Sequence, residues 1–419
     1  MKSYDSVPNF KSELRMYANF AARTVKKVCS DIGPRETGSE AEHKAQNFMA
    51  EKVGDAADEV RQEEFQISPR AFLGWLRIAG IMLIVNTLLG IVNIFAGSDI
   101  LYSPVASIVF IVLVLVMLIG EFLFYKPVLD PIFPKATSHN TYCIRHASGE
   151  VKRRIIIGGH SDSSIEWRFT HLGGKYLMYS AFVYPSLGLA YTLFITIFQL
   201  VNGELNPTLI YIGCAFIPGY IMLAIFMNYK IIVDGANDNL TGCMTGAAVV
   251  KFMGDKNIRF ENTEVLAMFS GGEEAGLRGA KDCIKKHPEY KDGGEVETVF
   301  LAFDTIKDYD DMAIYYRDMS GITKHDARAC ALLKQAGKNI GLDLPYANLF
   351  AGASDAAAMT QGGANAVCFA AMNPGPPKYY HTRDDKAEIM ELKTIEKGVE
   401  LALEATYLFD EQGLKENYD

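Results

Sequence analysis

Five places in this 419-residue chain set imidazole or carboxylate groups where a fold could gather them. His160 follows the apolar run Ile155-Ile-Ile and two glycines. Glu273 and Glu274 follow the apolar run 265–269 and, again, a glycine pair. Asp304 closes the apolar run 299–303, Asp238 lies in the glycine-bounded loop 235–242, and His381 lies in Tyr379-Tyr-His-Thr382. Imidazoles and carboxylates without thiolates suit zinc in a catalytic rather than a structural site. Adjacent carboxylates repel each other, so the pair at 273–274 calls for a metal, a shared proton, or plain exposure at a helix start. Asp162, two residues beyond His160, can accept the second ring N–H and fix the tautomer.

Such groups converge only if strands and loops carry them to one crevice. The runs ending at His160, at Glu273-Glu274 and at Asp304 read as buried strands stopped by glycine or by an acid. Their carboxyl ends are where open α/β sheets bind ligands. Helical patterns fall near 11–30, 40–54, 243–253, 323–337 and 387–410, with another beginning directly after the carboxylate pair; Ser39 is placed to cap the second. Strands also read at 59–67, 139–146, 313–316 and 366–371. Strands alternating with helices predict an α/β domain with a mixed, largely parallel central sheet flanked by helices.

Composition narrows the class further. With 50 Asp and Glu against 41 Lys and Arg and no basic stripe, nucleic acid is excluded as a partner. Seven cysteines without a C-x-x-C spacing suggest reduced thiols in place of a disulfide framework. Uncharged stretches of 21, 21, 28 and 25 residues lie between Arg77 and Asp99, Asp99 and Glu121, Lys175 and Glu204, and Glu204 and Lys230. Each is long enough for a bilayer core, which takes about 20 residues. They pair through short connections at 97–99 and 202–207, which predicts two transmembrane hairpins. The chain then divides into a catalytic domain at 1–71, 126–175 and 230–419, a first hairpin at 72–125 and a second at 176–229. Every Lys and Arg lies on the side of the soluble segments, so the positive-inside rule places the catalytic domain and both termini in the cytoplasm, with the lipid bilayer as a partner.

The motifs Gly158-Gly-His-Ser-Asp-Ser163, Gly235-Ala-Asn-Asp-Asn-Leu-Thr-Gly242, Glu273-Glu-Ala-Gly-Leu-Arg-Gly279, Phe303-Asp304 and Tyr380-His-Thr382 resemble, in order and spacing, those of the co-catalytic dizinc exopeptidases, metallopeptidase family 28. The segment 33–39 resembles the family's N-terminal segment. The resemblance implies a zinc exopeptidase fold and two zinc ions, with manganese or cobalt as alternatives. It implies that Asp238 bridges them, that His160 and Asp304 complete one site and Glu274 and His381 the other, and that Glu273 is the general base. A non-proline cis peptide is implied after Asp238. The hairpins depart from the family pattern and leave the substrate open. The expected activity is hydrolysis of the N-terminal bond of peptides by a zinc-activated water. Asp162 serves in support, and Tyr379 or Tyr380 donates to the oxyanion. The competing readings are a carboxypeptidase, a glutaminyl-cyclase-like enzyme, a non-catalytic membrane scaffold, and a transporter; the last is disfavoured by helices without internal charge.

Overall fold

A computed structural model describes residues 2–96, 103–349 and 352–418. In chain order its strands are β1 (Glu59–Ile67), β2 (Ala136–Arg145), β3 (Arg153–His160), β4 (Ile165–Trp167), β5 (Met227–Ile232), β6 (Thr263–Ser270), β7 (Glu297–Ile306), β8 (Met312–Asp318), β9 (Thr323–Lys324), β10 (Tyr346–Asn348) and β11 (Asn365–Ala371). Its α-helices are α1 (Phe10–Asp31), α2 (Glu40–Val53), α3 (Gly74–Ala96), α4 (Pro104–Met117), α5 (Arg168–Asn202), α6 (Pro207–Gly213), α7 (Ile217–Ala224), α8 (Thr241–Asp255), α9 (Arg278–Lys286), α10 (Ala327–Asn339), α11 (Asp355–Gln361) and α12 (Leu392–Gln412). The chain forms two compact units. One comprises Met1–Pro69, Lys135–Ser164 and Ile232–Asp419; the other comprises Arg70–Pro134 and Ile165–Ile231.

The first unit is built on a nine-stranded mixed sheet in the order β1-β2-β6-β3-β7-β11-β8-β10, with β9 paired to β8. Its centre is parallel: β6 and β7 flank β3 in parallel register, and β11 continues parallel to β7. β2 meets β6 and β8 meets β11 antiparallel. The expected mixed, largely parallel sheet is therefore present. Central strands covered on both faces must be apolar along their whole length, and every residue of β6 is buried. α8 packs where the backbone needs room, which is why it is rich in small residues. A Cβ on Gly159, at the end of β3, would lie 2.4 Å from the Cys243 nitrogen. Glycine there lets the strand end and the start of α8 approach to backbone contact. The Ser39 cap is made as expected, its Oγ accepting from the Glu42 N–H at 3.2 Å.

The helix expected directly after the carboxylate pair begins later. Residues 273–277 form a turn, with positive φ at Gly276 (97°) and Leu277 (62°), and α9 starts only at Arg278. The pair thus lies outside the first helical turn, which removes exposure at a helix start as its explanation.

In the second unit, among the described residues, four helices are long and apolar enough to cross a membrane: Gly74–Ala96, Pro104–Leu123, Arg168–Asn202 and Pro207–Ala224. The connection expected at 97–99 lies outside the described residues. The one at 202–207 turns on Gly203, in the left-handed conformation, and on Asn206, whose side chain caps α6. Non-helical angles at Gly173 and Gly174 kink α5. Several polar side chains in the interior pair across the helices, as groups removed from water favour. Asn86 of α3 donates to Ser107 of α4 at 3.2 Å, Ser107 pairs with Thr196 of α5 at 2.8 Å, and Thr192 pairs with Tyr220 of α7 at 3.1 Å. β4 and β5 pair as a two-stranded sheet. The start of β5 falls inside the hairpin expected at 176–229, because Met227 extends the apolar run.

Candidate metal centre

Three parallel strands deliver the site. His160 is the last residue of β3. Glu273 and Glu274 follow the end of β6 after two glycines. Asp304 lies two residues before the end of β7. The loop between β5 and α8 brings Asp238, and the loop after β11 brings His381. The Asp238–Asn239 peptide is cis, as the resemblance implied, and His381 has positive φ (52°).

Asp238 stands at the middle. Its Oδ1 is 3.1 Å from His160 Nε2, and its Oδ2 is 3.0 Å from His381 Nε2. One carboxylate therefore presents a separate oxygen to each imidazole. Glu274 Oε1 is 3.2 Å from His381 Nε2, and Glu273 Oε2 is 3.8 Å from His160 Nε2. Ligand atoms of His160, Asp238 and Glu274 all lie within 4.8 Å of one another. Burial, joined by neighbouring acids, pushes Glu274 and Asp304 each up to about 7 and Glu273 well above the usual carboxylate range. Burial works the same way on Asp238, but the two imidazoles outweigh it and hold that carboxyl below its ordinary value. Asp238 Oδ2 and Glu274 Oε1 are buried and accept no hydrogen bond. Buried acids crowded together with open lone pairs call for a cation, and this oxygen and imidazole donor set fits zinc.

Further residues hold these groups in place. His160 Nδ1 bonds the main-chain oxygen of Asp162 at 3.1 Å, with the Asp162 carboxylate at 3.4 Å. That carboxylate accepts the N–H groups of Glu273 (3.2 Å) and Glu274 (3.1 Å) and the hydroxyl of Thr37. Asp162 thus grips the carboxylate pair as well as orienting the imidazole. Tyr379 donates to Asp308 Oδ2 at 2.7 Å, whereas Tyr380 stacks on His381 with centroids 3.9 Å apart.

The sequence reading missed four buried groups. Asp385 accepts the N–H groups of Asn237 and Asp238, both at 3.0 Å. Glu42 accepts the Gly272 N–H at 3.0 Å and the Ser138 hydroxyl at 2.9 Å. Asp355 accepts from Ser270, and Arg35 bonds main-chain carbonyls on both sides of the site. Asp385 had a signal, since it closes the acidic step Asp384-Asp385 four residues after His381. Asp355 follows Ser354 at a helix start and reads from sequence as part of a cap.

Several solved structures share this architecture. The aminopeptidase from Aneurinibacillus sp. strain AM-1 is 14% identical over 95% of each chain, with a TM-score of 0.55. A zinc aminopeptidase from Bacillus subtilis is 13% identical over 96% of each, at 0.54. A glutaminyl cyclase from an Acidobacteriales bacterium is 15% identical over 95% of this chain and 96% of its own, at 0.52. No curated protein matches by sequence. The fold is therefore that of the zinc exopeptidases. Residues 223–406, which carry Asp238, Glu273, Glu274, Asp304 and His381, match the model of Peptidase family M28.

Proposed function

We propose that the protein is a membrane-anchored aminopeptidase that holds two zinc ions and removes the N-terminal residue of peptides. Asp238 would be shared between the ions, with His160 and Asp304 holding one and Glu274 and His381 the other. Bound there, zinc supplies Lewis acidity toward the scissile carbonyl and toward water. Glu273 accepts the proton of the attacking water and passes it to the leaving amine. Burial, with Glu274, Asp355 and Asp304 nearby, raises the proton affinity of Glu273 above that of an ordinary carboxylate. Asp162 keeps Glu273 in place through the main chain. Tyr380, stacked beside His381 and held protonated by burial, is the donor to the developing oxyanion.

The observation that supports an aminopeptidase over a carboxypeptidase is the likeness of the fold to two aminopeptidases. The test offers the full-length protein in lipid nanodiscs free-amine peptides, amine-blocked peptides and glutaminyl peptides. Hydrolysis of free-amine peptides alone is expected. Cleavage of the blocked peptides selects a carboxypeptidase, and loss of ammonia from glutaminyl peptides without hydrolysis selects a cyclase.

The proposal places the catalytic domain in the cytoplasm, because Lys and Arg are confined to the side of the soluble segments. Cys283 and Cys330 are buried, so a reporter thiol has to be introduced. Glu295→Cys puts one at an exposed turn, in a chain whose partly exposed Cys29 and Cys214 are changed to serine. An impermeant thiol reagent should leave it unlabelled in intact cells and label it after permeabilisation. Labelling in intact cells reverses the orientation.

A further inference from the structure

Arg35 is wholly buried, yet all four of its side-chain hydrogen bonds go to main-chain carbonyls. Nε donates to Ser161 O at 2.7 Å. Nη1 donates to Gly33 O at 3.1 Å and Asp234 O at 2.8 Å, and Nη2 donates to Gly235 O at 2.9 Å. A buried guanidinium usually takes a carboxylate partner, because desolvating its charge is costly. Here the charge is spent on backbone dipoles of two separate segments. Ser161 adjoins His160, and Asp234 and Gly235 open the loop that carries Asp238. The main chain of Arg35 adds a second tie: its N–H donates to Ser163 Oγ and its carbonyl accepts the Ser163 N–H, both at 2.9 Å. Gly235 has φ of 55°, and a Cβ there would lie 2.6 Å from Ser163 Cβ and 3.1 Å from Arg35 Nη2. The two segments and the guanidinium therefore fill one space with no slack.

We propose that Arg35 is a positioning residue for the metal centre, a side chain that fixes the distance between the strand end bearing His160 and the loop bearing Asp238. The inference rests on the reading of that centre as a zinc site. A planar fork of N–H groups can reach carbonyls on two sides at once. A lysine ammonium carries the same charge but radiates its donors from one atom and cannot span them. Preserved charge with lost geometry should therefore loosen the grip on zinc.

The experiment measures zinc affinity by chelator competition, and metal-free unfolding temperature, on full-length protein in nanodiscs. The variants are Arg35→Lys and, as control, Arg145→Lys, which alters a buried arginine paired with Asp58 at 3.1 Å. Arg35→Lys is expected to bind zinc about 10–100-fold more weakly, the range for groups that orient ligands. Arg145→Lys should lower the unfolding temperature and leave zinc affinity unchanged. Wild-type zinc affinity in a folded Arg35→Lys overturns the proposal, as does an equal loss of affinity in Arg145→Lys. Where Arg35→Lys does not fold, Ser163→Ala decides: it removes one hydrogen bond to Arg35 and should weaken zinc about fivefold, the worth of roughly 1 kcal/mol. An unchanged affinity there overturns the proposal. A wild-type protein that binds no zinc refutes the metal reading itself, which is a separate outcome.

Discussion

Replacing Glu273 by glutamine should leave metal content unchanged and lower kcat by about 10²–10⁴-fold, the usual contribution of a positioned general base. The substitution keeps the side chain's size and its place at 3.8 Å from His160. It also keeps the main-chain N–H that donates to Asp162. It removes only the capacity to take and return a proton. At about 1.36 kcal/mol per decade the loss corresponds to roughly 3–5 kcal/mol of transition-state stabilisation. KM should change little, because a base acts in the transition state more than in binding. The measurement is steady-state kinetics on a free-amine peptide, with zinc determined on the same sample. Turnover at the wild-type rate with full zinc would exclude Glu273 as the base.

Asp238→Ala should produce the other large effect, and of a different kind. The proposed bridging carboxylate presents an oxygen to each imidazole, so its removal withdraws a ligand from both proposed metal positions. Zinc affinity should fall by more than the ~100-fold expected from losing a ligand's orienting partner. Activity should disappear with it. A ligand that binds only the folded state adds about 2.7 kcal/mol of stability at a hundred times its Kd. Wild-type protein should therefore unfold at a higher temperature when zinc is added, and Asp238→Ala should show no such rise. A zinc-dependent rise of wild-type size in the variant would remove Asp238 from the ligand set. The two substitutions together separate proton transfer from metal retention.

Much of this site could be read from the chain because its carriers are buried parallel strands. Such strands need continuous apolar runs, and the glycines that stop them mark where side chains enter the crevice. His160, the carboxylate pair and Asp304 were found in that way. What escaped the reading shares a physical character. Arg35, Glu42 and Asp385 act on main-chain atoms far along the sequence: Arg35 on Asp234 and Gly235, Glu42 on Gly272, Asp385 on Asn237 and Asp238. A backbone N–H or carbonyl has no identity in the sequence, so the partner of such a side chain leaves no trace there. The late start of α9 has a similar origin. Asp162, more than a hundred residues away, takes the N–H groups of Glu273 and Glu274 and holds them in a turn that helical periodicity alone does not announce.

The order of strands in the sheet bears on how the protein is made. β3, which ends in His160, has β6 and β7 as its neighbours, and both are encoded after the last of the four apolar helices. A chain emerging from the ribosome at about 5–20 residues per second therefore delivers all its apolar helices while β3 still lacks both partners. During that interval the Ile155-Ile-Ile run exposes two unpaired strand edges, a state prone to aggregation and to capture by chaperones. The apolar helices are thus complete before the sheet can close, and the proposed metal centre can form only after residue 381 has left the ribosome, since His381 is its last-encoded member. Zinc at the proposed centre would in consequence be bound late, and chains cut short before that residue would carry the apolar helices beside an unfinished sheet.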